Sequence, residues 1–406
     1  MRSESRMDWW LLAILTGLLV GGWIGKSNRS QSKPLAANVP PRTVSKVRAA
    51  TAKPDGGKRD FSSLINRCQQ THGIPDAGFD SLGRASSGEL KELLSNLAGL
   101  NIVRRDWTAY QKNFKAMNAI AHELYLREGT ECLKWAESTG TETIHYLMLC
   151  ELALQDPVMM NDRLGDFWMK FGTPANGMIS AAGAGAAMRG AADLLAVEKL
   201  FGPSLPWDIG GFAEGFDFHS YLTKTESMYG LKDGFRYWAA LDPDAAGKLL
   251  REEPGKANGF WYEAFGAAFR GRAEVAGDAE AAHWMGGVLM NLSEKSRDQA
   301  VFEMLCGNAL EDRAVNALIA ALPTDRDRIT LVSGFLVLNR EEESALRSLT
   351  ALNSETLQSQ ALSTWLQSRP AKIRGQLKDS LETKMEKLNF PPARRDELRA
   401  LIPSDE

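Results

Sequence analysis

Three tetrapeptides, Asn291-Leu292-Ser293-Glu294, Ala321-Leu322-Pro323-Thr324 and Ala351-Leu352-Asn353-Ser354, repeat one local grammar. An apolar run with helical spacing ends on Leu, a turn or capping residue follows, and a new amphipathic run begins. Leu292, Leu322 and Leu352 stand 30 residues apart, and Ala240-Leu241-Asp242-Pro243-Asp244 echoes the pattern 51 residues before Leu292. A recurrence every 20–50 residues or so is how stacked supersecondary units show in a sequence, because one unit cannot bury its apolar face alone. Each unit reads as helix–turn–helix. The body, residues 60–406, is therefore expected to be all-α, an α-solenoid-like repeat array. No useful run of β-branched alternation argues for a sheet.

The individual helices carry their own signals. Ser86 and Glu89 have capping-box spacing, and Leu90, Leu93, Leu94 and Leu97 follow on one face. Trp107, Tyr110, Phe114, Met117, Ala121 and Leu124 step by three and four, which predicts a long amphipathic helix. Asp156-Pro157 and Asp242-Pro243 each read as a break, the second with an N-cap and a Pro at the first helical position. Residues 180–187 (SAAGAGAA) invite a phosphate-loop reading, but no G-x-x-x-x-G-K-[ST] is present and no strand precedes them. Small side chains permit short interaxial distances, so a closely packed helix is the expectation.

Residues 202–234 are the least regular part of the body. Pro, Gly and aromatic residues mix there with Asp208, Glu214, Asp217 and His219. If the chain is an enzyme, possibly a hydrolase on an all-α fold, a carboxylate pair with a nearby His could do its acid–base work. The alternative is a long connection that packs its aromatic rings on the array.

The first 59 residues differ from the body. Residues 1–8 form a short tail. Residues 9–25 (WWLLAILTGLLVGGWIG) are 17 uncharged positions, about 25 Å as a helix, near the lower limit for a membrane span. Trp9, Trp10 and Trp23 stand at its ends, where the headgroup level suits them. The small-residue pattern of a signal-peptide cleavage site does not follow, so an uncleaved anchor is expected. Ala13, Gly17, Gly21 and Gly25 recur every fourth residue, a face on which two such helices could pack as a homodimer. Residues 26–59 hold nine Lys and Arg and one acid. Such a segment cannot offset its ordering entropy by burial, so a disordered basic linker is expected, with a reach of about 30–35 Å.

Charge divides the chain at the same place. Residues 1–60 carry 11 basic and 4 acidic side chains, and the remaining 346 carry 37 and 47. An acidic body argues against nucleic acid as its partner. Basic residues are more frequent after the apolar run than before it, which favours a cytoplasmic body. The run also resembles the short signal-anchors of bacterial exported proteins, which implies a body in the envelope. The second reading is preferred here. Cys68, Cys132, Cys150 and Cys306 form no C-x-x-C pair. Cys132 and Cys150, on successive helices, are either bridged or two buried thiols. The five histidines form no H-E-x-x-H, and Cys68-x3-His72 is half a zinc pattern without its second half. No metal or cofactor is therefore expected.

The helical periodicity of residues 87–390 is similar to that of tetratricopeptide-like and HEAT-like repeat proteins. The tetratricopeptide consensus is met at no unit, and the 30-residue period is shorter than a HEAT repeat. The resemblance implies a binding surface for protein partners. It carries over no functional residue. The expected function is a membrane-anchored scaffold without catalysis, and the enzyme reading is the alternative.

Overall fold

Ser86 and Glu89 start the first long helix as a reciprocal cap. The Ser86 hydroxyl accepts from the Glu89 backbone N–H at 3.2 Å, and the Glu89 carboxylate accepts from the Ser86 N–H at 2.7 Å. Helix α1 (Ser87–Gly99) then buries Leu90, Leu93, Leu94 and Leu97, the four residues of its apolar face. The computed structural model describes residues 82–83, 85–99, 107–173, 175–202, 209–252, 261–306, 312–338 and 341–402. The expected anchor, with Ala13, Gly17, Gly21 and Gly25, and the expected linker lie outside them. Among the described residues no helix is long and apolar enough to cross a membrane.

These residues form helices joined by turns, with no strand among them. After α1 come α2 (Trp107–Glu128), α3 (Glu131–Thr139), α4 (Glu142–Gln155), α5 (Pro157–Phe171), α6 (Asn176–Arg189), α7 (Ala191–Phe201) and the short α8 (Phe218–Leu222). The remainder are α9 (Met228–Leu241), α10 (Pro243–Glu252), α11 (Glu263–Ala276), α12 (Asp278–Met290), α13 (Glu294–Cys306), α14 (Asp312–Ala321), α15 (Asp325–Leu338), α16 (Glu342–Thr350), α17 (Glu355–Gln367), α18 (Ala371–Gln376), α19 (Lys378–Lys387) and α20 (Pro392–Arg399).

Breaks follow local chemistry. Asp156 and Asp242 accept from backbone N–H groups three residues on, at 2.9 and 3.0 Å, so each Asp-Pro starts a helix as its capping pattern requires. Gly140 and Gly172 end α3 and α5 in the left-handed conformation. The small-residue stretch is two helices, divided at Gly190. The expected last long helix is also divided, at Leu377.

Helices pack on the next but one. In one set α9 packs on α11, α11 on α13, α13 on α15, and α15 on α17. In the other α10 packs on α12, α12 on α14, and α14 on α16. Nearer the N-terminus α2 packs on α4 and α4 on α6, and α7 and α8 lead on to α9. Packed neighbours of one set run parallel: Tyr146 and Leu154 of α4 lie against Gly177 and Gly185 of α6, each 31 residues on.

This arrangement explains the spacing of 51. Leu292, Leu322 and Leu352 follow α12, α14 and α16, all of the second set, and are buried. Leu241 ends α9, of the first set, and is 73% exposed. It belongs to the opposite ends of the units, so its distance from Leu292 is not a multiple of the repeat.

Polar ties join neighbours within a set. Arg236 on α9 pairs with Glu274 on α11, and Lys232 with Glu263. Arg297 on α13 donates to Asp327 on α15 at 2.7 Å, where the fully buried carboxylate also accepts from Thr324 at 2.7 Å. Arg369 donates to the Val337 carbonyl, and Lys384 on α19 to Glu342 on α16. A buried carboxylate needs such partners, because an unpaired charge in the interior is costly.

Candidate functional site

Residues 209–227 connect the small-residue helices to α9, and a buried carboxylate anchors them. On α7 the inward face is Leu194, Val197 and Glu198. The Glu198 carboxylate accepts from the Tyr221 hydroxyl at 2.5 Å and from the Thr225 hydroxyl at 2.8 and 2.9 Å. Thr225 accepts from the Ser227 N–H at 3.1 Å, and Ser227 caps α9 by accepting from the Gly230 N–H at 3.1 Å. Gly230 leaves room for this cluster, since a Cβ there would meet the Tyr221 hydroxyl and Glu198. Burial raises the Glu198 carboxyl above its usual range, against the two hydroxyl donors that lower it. Burial also raises the Tyr221 phenol, and Glu198 raises it further. The group can hold a proton and fix a turn.

Aromatic rings complete the packing. Phe212 lies 4.7 Å from Phe216, 5.0 Å from Phe218 and 5.1 Å from Tyr237, centroid to centroid. Tyr237 donates to the Gly210 carbonyl at 2.9 Å. The connection is thus held on the helices by rings and by one buried carboxylate.

The residues expected to carry chemistry occupy different positions. Asp217 caps α8, its carboxylate accepting from the Ser220 N–H at 2.9 Å. Glu214 and His219 are exposed. No hydrogen bond joins Glu214, Asp217 and His219 to one another among the described residues. Asp208 lies outside those residues. Glu198 was missed by sequence reasoning. Its signal was an acid at i+4 from Leu194 on an otherwise apolar helix face.

Other reactive side chains lie in α2–α5. Cys132 and Cys150 are free thiols. Burial pushes both up to about 12, which makes them poor nucleophiles near neutral pH. His122 Nδ1 lies 2.8 Å from the Glu151 carboxylate. His145 is buried edge-on to Phe167 and Phe171, at 5.2 and 5.8 Å, and its Nδ1 has no partner. Burial lowers its pKa, so the ring is neutral. Among the described residues no three His, Cys, Asp or Glu are grouped to hold a metal ion. An open depression between α13 and α15 is lined by Glu294, Asp298 and Arg326, which pair with each other.

Comparison with protein-family models, with curated proteins and with solved structures found no match.

Proposed function

We propose that this chain is a membrane-anchored α-solenoid that acts as a scaffold for protein partners. The observation that carries the reading is the packing of each helix on the next but one, in two parallel sets, with polar ties between successive units. Units that contact only their neighbours build a long surface without a central core, and such surfaces serve extended or multiple partners. This is the kinship with tetratricopeptide-like and HEAT-like proteins in physical terms. Residues 9–25 supply the anchor, residues 26–59 a tether, and the body lies on the exported side. The polar side chains of residues 209–227 that are described are occupied in capping and packing, which supports the scaffold over the enzyme.

The experiment is a photo-crosslinking scan in intact cells, with a photoreactive residue placed in turn on the exposed faces of α3, α5, α12, α14 and α16 of the full chain. Discrete adducts with a second protein at a subset of positions are the expected result. A scan without adducts at any position would overturn the scaffold. The membrane side is tested separately with Ser45→Cys in a chain whose native cysteines are replaced. An impermeant thiol reagent should label it in intact cells. Labelling only after lysis would place the body in the cytoplasm.

A further inference from the structure

Helix α5 is amphipathic in an unusual way. Its inner face is sound: Met160 and Phe167 are buried, Leu164 and Phe171 pack against the core, and the helix packs on α4. Its outer face presents Val158, Met159, Asp162, Gly165, Asp166 and Met169, which fall on one stripe at helical spacing. Val158 is 59% exposed and Met169 80%, and Trp168 beside them is 62% exposed. Large apolar side chains this open, on a face also bearing charge, mark interaction surfaces, and Trp and Met are enriched in such surfaces.

Two further choices on the stripe are unfavourable for α5 alone. Asp162 and Asp166 are four residues apart, where like charges repel. Neither is ion-paired among the described residues, and Lys170, which could reach Asp166, lies over the Phe171 ring instead, at 5.0 Å. Gly165 sits mid-helix, where glycine is a poor helix former. Elsewhere in this chain such a glycine marks a close helix contact. A Cβ at Gly185, Gly271 or Gly286 would collide with the backbone of Leu154, Arg236 or Ala321 on the neighbouring helix. A Cβ at Gly165 would meet nothing within 4 Å.

We infer that the outer face of α5 is a docking site for a helix of a partner protein, with Lys or Arg four residues apart flanked by large apolar side chains. The basic pair would neutralise Asp162 and Asp166. The apolar flanks would cover Val158, Met169 and Trp168, and the backbones would approach closest at Gly165. This inference rests on the scaffold reading and gives it a site and a partner chemistry.

The test uses the full chain in intact cells with a photoreactive residue at Met169. The crosslinked peptide is identified by mass spectrometry, in the parent and in two variants, Asp162→Lys with Asp166→Lys, and Gly165→Leu. The expected result is an adduct with one helical segment bearing that basic pair, reduced on the order of tenfold in both variants, as loss of a complementary charge pair or of close approach requires. Thermal unfolding of the purified variants separates lost docking from lost folding, and all three positions are exposed. An adduct only with a second copy of this chain, with lipid, or with a segment lacking basic residues would overturn the inference. So would an adduct unchanged in the charge-reversed variant. If adducts arise on other helices and not at Met169, the docking site fails and the scaffold stands. If none arise anywhere, both fail.

Discussion

His145 shows how one buried side chain sets a pH response. Its ring has no partner at Nδ1, it packs on Phe167 and Phe171, and burial is the main cause of its lowered pKa. The unfolded chain therefore binds more protons than the folded one between the folded pKa and the ordinary value near 6.5, and stability in that window falls as pH falls. The slope from one such group is at most about 1.4 kcal/mol per pH unit. Glu198 acts oppositely, because its raised pKa makes the folded state the one that holds the proton. The informative quantity is thus a difference. Urea unfolding of the chain in detergent, at pH 7.5 and 5.5, should show a smaller acid-induced loss in His145→Leu than in the parent. Equal losses would show that His145 protonates in place without cost.

At the scale of elements, neighbouring residues of α12 make opposite demands. A Cβ at Gly286 would lie 2.5 Å from the Ala321 carbonyl oxygen, whereas a Cβ at Gly287 would meet nothing within 4 Å. Gly286→Ala should destabilise the chain by about 1–3 kcal/mol, the usual cost of overpacking. Gly287→Ala should stabilise it by up to about 1 kcal/mol through helix propensity. Denaturant midpoints of the two variants check the pair, and a shift of both in the same direction would contradict the close approach of α12 to α14. Much of this scale was legible beforehand. The Ser86/Glu89 box, the Asp-Pro starts and the leucine faces act over three or four residues, so local sequence determines them. The breaks at Gly190 and Leu377 were not legible, because helical periodicity runs through both. Glu198 escaped for a related reason. Its partners Tyr221 and Thr225 lie 23 and 27 residues away, and only the folded chain brings them together.

For the whole molecule, the repeat was visible at Leu292, Leu322 and Leu352 because each follows a helix of the same set. Leu241 was misleading because it ends a helix of the other set. What the sequence conveyed was thus the unit and its period, and what it withheld was which helices stack. That stacking is the central claim. If units are held by their neighbours, stability should be nearly a sum of local terms and damage at one end should stay there. The most direct measurement is native-state hydrogen exchange on the full chain and on a chain ended after Asn353, which lacks α17–α20. The stacked array predicts unchanged protection in α4, α6, α9 and α11, with losses confined to α15 and α16, whose partners α17 and α19 are gone. Protection lost throughout the body, α4 included, would mean a single cooperative core and would contradict the account.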